Sequence, residues 1–452
     1  MTPPGDERLL TAPMVGIALG SILSPLNSTM LAVALPSVMD EFSVDPATVA
    51  SLVTLYLASV ALALPASGSI GDRFGHRGSF LVGVTGFGAA SLLAATAGSF
   101  TVLAASRVLQ AVSGALVSTS STALVRAEAP AGRRGAAFGL FDSLTSISAA
   151  IGPLVGGLLV AGFGWRAMFL LAVPVSVAAL LIVARIARPT RAGRSAARPI
   201  DIPGLALLGA TIVAALVGLR SPLDGSVGSL SLAIAALLGG AFVIVESRTD
   251  QPAVDPRLVA TPTFAAALAG VFGMTVILHG CFLVVPLLVE RLQGGSPATT
   301  GLVLLGISAL WAVAAPFGGR LSDRVGRRRP AVIGGVVTAI GLGILASLGA
   351  SATWLVLAAL LSLVGTGMGI AGSPRQTAAM EAVGPDRVGM AAGTYYTGRY
   401  LGGVVGASVA GAVLGQTVTG DAISAVFAIL AVTGVLVTLA SVGLPGRPRD
   451  VT

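Results

Sequence analysis

Two short stretches of this 452-residue sequence resemble each other: residues 68–77 read GSIGDRFGHR and residues 319–328 read GRLSDRVGRR. Both combine glycine, aspartate and arginine, although only 10% of the residues are charged and 54% are hydrophobic. A charged phrase that recurs more than half a chain away indicates an internal duplication. We call them the first and second motif segments.

The chain is too apolar for a water-facing surface, with a mean hydropathy of +0.92, so lipid is its expected solvent. Apolar runs long enough for a helix to cross about 30 Å of hydrocarbon recur along its whole length, and the alternation of barrel strands is missing. We predict an all-α integral membrane protein with fourteen spans: 13–36, 49–70, 79–98, 101–125, 136–160, 166–186, 202–219, 229–246, 264–289, 298–319, 330–350, 353–373, 388–415 and 421–443.

The arginines are distributed unequally between the two sets of span boundaries. There is no lysine, and all but five of the 27 basic residues fall at one set. The exceptions are Arg166, Arg220 and Arg291 at the other boundaries and Arg107 and Arg399 inside spans. Under the positive-inside rule this asymmetry predicts cytoplasmic termini. The net charge of +8 then reflects contact with anionic lipid, and we expect no nucleic-acid partner.

The spans group as six, two and six. We predict an N-terminal six-helix bundle over 1–187, a basic cytoplasmic linker with two extra helices over 188–262, and a C-terminal six-helix bundle over 263–452. Each motif segment then occupies the link between the second and third spans of one bundle, as expected of a repeated transporter fold. Since the extra helices carry no acid before Glu246, we expect them at the periphery.

The motif segments contain candidates for conformational gating. Glycine allows a tight reversal, and an aspartate near a helix N-terminus can pair with a neighbouring arginine. Such a link could hold one conformational state and release in another. The alternative is that the arginines only fix topology and the glycines only turn the chain. The candidates are Gly68, Asp72, Arg73, Gly75, Arg77, Asp323, Arg324, Gly326 and Arg328.

Both segments resemble the signature loop of the major facilitator superfamily. Further stretches resemble its drug and proton antiporters with fourteen spans: LNSTMLAVALP (26–36), RVLQAVSGA (107–115), SAAIGPLVGG (148–157) and GWRAMFLLAVP (164–174). The resemblance implies two six-helix bundles around a midplane site. It has two departures, because Asn27 stands where the family has an aspartate for proton coupling and Ser148 where glycine is usual.

Polar groups inside the spans are the candidates for a substrate or proton pathway, since an ionisable side chain there costs at least about 2.5 kcal/mol. Arg107 and Asn27 are predicted at similar depths, so a hydrogen bond between them is plausible, and Gln110 lies one turn further. The resemblance implies that Arg107 organises the binding site or proton relay; the alternative is a structural tie between helices. Asp142 is the one carboxylate well inside a span, and we propose it as the substitute protonation site. The alternative is that it pairs with inner-loop arginines such as Arg133.

His279 and Arg399 lie near the middle of their spans. A neutral imidazole can gain charge near physiological pH, although a lone histidine often serves only packing. Arg399 has no acid in its own span, and Tyr395, Tyr396 and Tyr400 could flank it. Such a site would suit an anionic or aromatic substrate; a structural role is the alternative. In the fifth span, the residues that could let the helix bend or slide are Gly152, Pro153, Gly156 and Gly157.

The leading functional hypothesis is a secondary active transporter of a bacterial cytoplasmic membrane that exports small amphipathic compounds in exchange for protons. The alternative is a facilitator or uptake carrier without proton coupling, which Asn27 favours. An enzyme is not expected, because the sequence has no nucleophile with its base and no cluster of acids or histidines. The nucleotide-binding loop GxxxxGK[ST] is also missing, which argues against an ATPase of that type. We expect no cofactor, no metal and a monomer.

Overall fold

The computed structural model describes residues 12–129, 134–186, 201–220, 226–249, 252, 254–384, 387–415 and 417–446. These residues form fourteen α-helices and no strand. The helices are α1 (Ala12–Phe42), α2 (Pro46–Phe74), α3 (His76–Ala95), α4 (Phe100–Glu128), α5 (Arg134–Phe163), α6 (Arg166–Ile186), α7 (Ile202–Arg220), α8 (Ser226–Arg248), α9 (Pro262–Leu287), α10 (Pro297–Val325), α11 (Arg328–Leu348), α12 (Trp354–Glu381), α13 (Val388–Leu414) and α14 (Gly420–Ser441).

The predicted spans correspond one to one with these helices, so the predicted fold is confirmed. Within the described residues, twelve helices have the length and hydropathy of membrane spans, and α7 contains a shorter apolar segment, Ile202–Gly218. The chain is therefore a multi-pass membrane protein. Most of the predicted basic linker lies outside the described residues.

Several helices continue past the apolar run that predicted them. The helix α1 passes through Pro36 and ends at Phe42, and α12 ends at Glu381. As a result, Arg375, which the hydropathy pattern assigns to a boundary, lies inside α12 with only 1% of its surface exposed. Hydropathy reports where the lipid-compatible run stops, whereas a helix continues until its backbone is capped, so Arg375 lies past the end of the apolar run and still within the helix.

The helix contacts define two bundles. In the first, α1 packs on α5 and α6, and α3 packs on α4 and α6. In the second, α9 packs on α13 and α14, and α11 packs on α12 and α14. The bundles meet mainly through two helix pairs, α5 with α10 and α2 with α13, and α1 also touches α9. The extra helices pack on each other, and α7 lies against α2 and α13 at the edge of this junction.

The two ends of the molecule differ in how the bundles meet. We call the end that carries the two motif segments the motif face, and the end where α1 stops and α2 begins the opposite face. Toward the opposite face, one continuous apolar cluster contains residues of both bundles, among them Leu35 and Val284. Toward the motif face each bundle has its own cluster, around Phe80 in the first and Phe264 in the second. The bundles are therefore closed against each other at the opposite face.

Two contacts reinforce this closure. Asp40 at the end of α1 forms an ion pair with Arg291, which follows α9 in a single π-helical turn, Leu288–Leu292. Between α5 and α10, the backbones come so close that a methyl group on Gly157 would lie 2.5 Å from the carbonyl oxygen of Pro297 and 3.1 Å from the Cα of Gly301. Only glycine allows two helices to approach this closely.

We expect Gly157→Ala to loosen the opposite face. The added methyl group would meet backbone atoms that cannot rotate away, and such overpacking costs about 1–3 kcal/mol. A cysteine placed at Ala298 on α10 should then react faster with a membrane-impermeant maleimide. Gly162→Ala is the matched control, since no atom lies within 4 Å of the added methyl group. Equal labelling rates in the two variants would contradict the close contact.

Candidate functional site

Arg107 lies at the centre of a buried polar network in the first bundle. Its Nη1 donates to the Asn27 side-chain oxygen at 2.6 Å and to the Gln110 side-chain oxygen at 2.8 Å. The Gln110 amide in turn donates to the Ser91 hydroxyl at 2.8 Å. The hydrogen bond that the sequence made plausible between Arg107 and Asn27 is therefore present, and the network ties α1, α3 and α4 together.

An aromatic ring completes the surroundings of this guanidinium. The Arg107 Cζ lies 4.1 Å from the centre of the Tyr56 ring, within the range of a cation–π contact. The Tyr56 hydroxyl, on α2, lies 2.6 Å from the Ser24 hydroxyl on α1, and this hydrogen bond holds the ring in place. Arg107 is 1% exposed and Tyr56 2%, so water does not solvate the charge.

No carboxylate neutralises Arg107 within the described residues. Its Nε and the Asn27 Nδ2 are both buried there without a hydrogen-bond partner. The amides and the ring offer the guanidinium only partial negative charges. The site therefore carries an excess positive charge inside the membrane, where charge is expensive.

Arg399 in the second bundle also lacks a carboxylate partner among the described residues. It is half-buried, and its Cζ lies 5.8 Å from the centre of the Trp311 ring on α10. Its backbone carbonyl accepts a hydrogen bond of 2.7 Å from the Thr275 hydroxyl on α9. The Arg399 side chain therefore lies beside an aromatic ring of α10, while its backbone is tied to α9.

The tyrosines near Arg399 on α13 have different surroundings. Tyr396 is half-buried, and its hydroxyl accepts a hydrogen bond of 3.2 Å from Gln376 on α12. Tyr395 is 3% exposed and belongs to the apolar cluster of the second bundle around Phe264. Tyr400 packs against the cluster between α2 and α13 that also contains Tyr56. Of the three, Tyr395 is thus turned into a core.

His279 lies one turn beyond Thr275 on α9. Its Nδ1 is 3.0 Å from the Thr275 carbonyl oxygen, to which only a protonated Nδ1 can donate. The ring packs near Phe282 at 6.4 Å between centres. These contacts are those of a histidine satisfied by its own helix.

Asp142 is exposed, about 12 Å along the axis from the start of α5 at 1.5 Å per residue. No described residue forms an ion pair with it, and Arg133 lies outside the described residues. It lies in the half of α5 nearer the motif face, whereas Arg107 lies in the half of α4 nearer the opposite face. The two groups occupy different depths.

The motif segments have the same backbone geometry. Gly75 and Gly326 each end a helix with a positive φ, 92° and 86°, which favours glycine. Asp72 and Asp323 lie in the last turns of α2 and α10, which continue past them. Each acid faces the start of the next helix, and the expected pairing with a neighbouring arginine is present for Asp323, which binds Arg327.

The second segment is held by two acids. Arg327 donates to Asp323 at 2.8 Å and to Glu381, at the end of α12, at 2.7 Å. These ion pairs hold the Arg327 guanidinium in its charged form and raise its pKa. Next to it, the Arg328 Nε donates to the Leu444 carbonyl oxygen beyond α14. The segment therefore joins α10, α12 and the end of α14 within one bundle, while Arg324 is exposed.

The first segment has a histidine at the corresponding position. His76 Nε2 lies 3.2 Å from Asp72, with the same spacing as Arg327 and Asp323. Arg77 donates to the Ala184 carbonyl oxygen at the end of α6, as Arg328 does in the second bundle. Arg73 lies over the Phe74 ring, and Gly68 has open space beside it. The repeat thus preserves the tie to the sixth helix of each bundle.

The fifth helix is packed closely along its small residues. Methyl groups on Gly152 and Gly156 would meet Thr29 and the Met30 backbone of α1, and the Pro153 carbonyl faces Gly301 of α10. With Gly157, these positions bring α5 against both bundles.

Sequence reasoning missed several members of these sites. Tyr56 and Trp311 look like ordinary apolar positions, and Asp40 and Arg291 lie far apart in the chain. Glu381 carried a usable signal, because α4 also ends in an acid, Glu128. Aligning the two repeats beyond the motif segments would have marked it.

We expect Asn27→Ala to destabilise the protein and Asn27→Asp to stabilise it. Alanine removes a hydrogen bond to a charged group, worth about 1.5–3 kcal/mol, whereas aspartate supplies the missing negative charge. Melting temperatures of the purified variants in detergent at pH 7 provide the measurement. An Asn27→Asp protein that melts below wild type would show that Arg107 does not lack a counter-charge.

Glu381→Gln should loosen the second motif segment without unfolding the bundle. The pair is partly exposed, so the loss is about 1 kcal/mol or less. Hydrogen exchange of residues 326–330 should become a few-fold faster. Arg329→Gln serves as the control, because Arg329 is exposed and adjacent. If both variants exchange alike, Glu381 does not restrain the segment.

Comparison with known proteins adds the evolutionary context. The family model of the Major Facilitator Superfamily matches residues 17–407 and 263–451. The tetracenomycin C resistance and export protein of Streptomyces glaucescens is 30% identical over 88% of this chain and 74% of its own length. The multidrug resistance protein Stp of Mycobacterium tuberculosis strain H37Rv is 31% identical over 89% of this chain and 75% of its own.

Solved structures share the fold at low identity. A peptide transporter POT superposes with a TM-score of 0.72 at 16% identity, covering 95% of this chain and 93% of its own. A D-xylose-proton symporter superposes at 0.68 with 15% identity, covering 96% and 98%. Together with the repeated segments, the two bundles and the family match over most of the chain, these findings establish that the chain belongs to the major facilitator superfamily.

Proposed function

We propose that this protein is a secondary active transporter that exports small amphipathic compounds in exchange for protons by alternating access. The observation that carries the proposal is the unequal contact between the bundles. They share one apolar cluster at the opposite face and have separate clusters at the motif face. Two bundles joined through equivalent helix pairs can rock about that junction and expose a midplane site to one side at a time.

The motif segments support movement of each bundle as a unit. Arg328 and Arg77 bind the end of the sixth helix of their own bundle, and Glu381 is bound within the second bundle. None of these ties joins one bundle to the other. They stiffen each bundle, so that a change of state is concentrated at the contacts between them.

The arginine distribution supports a particular orientation of the protein in the membrane. The motif face carries most of the boundary arginines, so we propose that it faces the cytoplasm with both termini. The closed opposite face would then be the outer side of a bacterial cytoplasmic membrane, and the substrate would enter from the cytoplasm. The names of the relatives, which include a puromycin resistance protein of Streptomyces alboniger, favour export of drug-like compounds.

Asp142 is the proposed site of proton coupling. It is exposed in the half of α5 nearer the motif face and has no ion-pair partner within the described residues. The family's carboxylate is replaced by Asn27, which cannot bind and release a proton. A carboxylate on the helix that joins both bundles could link its protonation to their relative position.

The test is proton movement in proteoliposomes that contain a pH dye. An imposed gradient of a transported amphipath should drive proton flux in wild type, and Asp142→Asn should lose that flux while retaining downhill substrate movement. Asp201→Asn provides a matched carboxylate change outside the two bundles. Normal proton flux in Asp142→Asn would exclude Asp142 as the coupling site.

A facilitator without proton coupling is the second candidate, favoured by Asn27. In the same assay it predicts substrate movement with no proton signal in wild type. Absence of movement for every compound tested would count against transport itself.

A further inference from the structure

Two arginines, Arg107 and Arg399, lie well inside predicted spans, whereas the buried Arg375 lies nearer the motif face. Five ion pairs occur among the described residues, and all of them involve residues at or beyond helix ends. Arg107 and Arg399 take part in none. An unpaired charge inside the membrane requires a partner, a wet cavity or a function.

The two arginines differ in what can reach them. Arg107 is enclosed by Tyr56, Asn27 and Gln110, so a substrate would have to displace a ring or an amide to touch it. Arg399 is half-buried, its side chain lies beside the Trp311 ring, and no hydrogen bond or ion pair engages its guanidinium among the described residues. Arg399 is therefore the accessible cation.

Aromatic side chains of two helices lie in the neighbourhood of this accessible cation. Trp311 lies on α10, and the half-buried Tyr396 is held by Gln376 of α12. Tyr400 follows Arg399 directly and packs on the cluster that contains Tyr56, the ring that covers Arg107. The aromatic surface thus extends from one arginine toward the other across the α2–α13 junction.

We propose that the transported compound is an aromatic anion, whose negative group pairs with Arg399 and whose ring lies against Trp311. This inference rests on the proposed transport function and narrows its substrate class. Charge complementarity decides the class: a cationic amphipath would add a third positive charge to a region without a described acid partner, whereas an anion removes the imbalance. The guanidinium also offers paired N–H donors to a planar oxyanion.

Export, the proposed direction of transport, agrees with a negatively charged substrate. A membrane potential that is negative inside favours outward movement of an anion by about 50-fold in concentration per 100 mV. Export of an aromatic anion can therefore proceed with weak proton coupling or none. The replacement of the family's aspartate by Asn27 is then less damaging than it would be for a carrier of cations.

Binding in detergent tests the inference without requiring transport. The probes share one ring system and differ in charge: 1-naphthoate, 1-naphthamide and 1-naphthylmethylamine, with affinity measured by equilibrium dialysis. We expect wild type to bind naphthoate at least tenfold more tightly than either of the others. Arg399→Gln should abolish that preference, Arg399→Lys should retain part of it, and Trp311→Leu should weaken naphthoate and naphthamide alike. Arg185→Gln, an exposed arginine at the end of α6, should change nothing.

The outcomes separate this inference from the proposed function. Equal or tighter binding of the ammonium probe, no measurable naphthoate binding, or an unchanged preference in a folded Arg399→Gln protein would each overturn the anionic class. Arg399→Lys keeps the test valid if Arg399→Gln does not fold. Transport of cationic amphipaths in proteoliposomes would support the transport function and contradict the anionic substrate class. Charge-selective binding without any flux would support the anion site and contradict the transport function.

Discussion

The Arg107 guanidinium is the constraint on which the first bundle depends. A charge enclosed by protein and lipid must be satisfied from nearby, and here Asn27, Gln110 and the Tyr56 ring do so from three helices. Each partner is positioned by another contact, since Gln110 binds Ser91 and Tyr56 binds Ser24. Removing one member leaves the charge with less compensation, so α1 to α4 are held in one arrangement. This network therefore links all four helices around one buried charge.

The second bundle also contains a buried guanidinium, but different groups bind it. Arg375 is as buried as Arg107, but its guanidinium is bound by the Ser441 hydroxyl and the Ala331 carbonyl oxygen, which ties α12 to α14 and α11 near the motif face. That leaves Arg399 at mid-depth without structural partners of this kind. Two arginines therefore stiffen the bundles, and a third remains available beside Trp311. This division between structural and available charge is what makes a binding role for Arg399 a physical expectation.

Hydropathy and the repeated segments were sufficient to predict the fold, because both report directly on the solvent and on duplication. The Asn27–Arg107 contact followed from their similar depths in adjacent spans. Depth does not specify rotation about a helix axis, so the sequence could not tell that Tyr395 turns into a core while Tyr400 faces the junction. Nor could it pair Asp40 with Arg291, which only the closure of the bundles brings together.

The opposite face is closed by two kinds of contact that differ in strength, an apolar one and an ionic one. The opposite face combines an apolar cluster with backbone contact at Gly157 and one partly exposed ion pair. Separating the bundles would expose the whole apolar surface of the cluster, and the free-energy cost grows with that area. Breaking the partly exposed ion pair would cost only about 1 kcal/mol or less. The apolar cluster would therefore contribute most of the free energy needed to separate the bundles at this face, and the Asp40–Arg291 ion pair would contribute little. A ligand bound to Arg399 would lie near the α2–α13 junction, because the neighbouring Tyr400 packs there on the cluster that contains Tyr56.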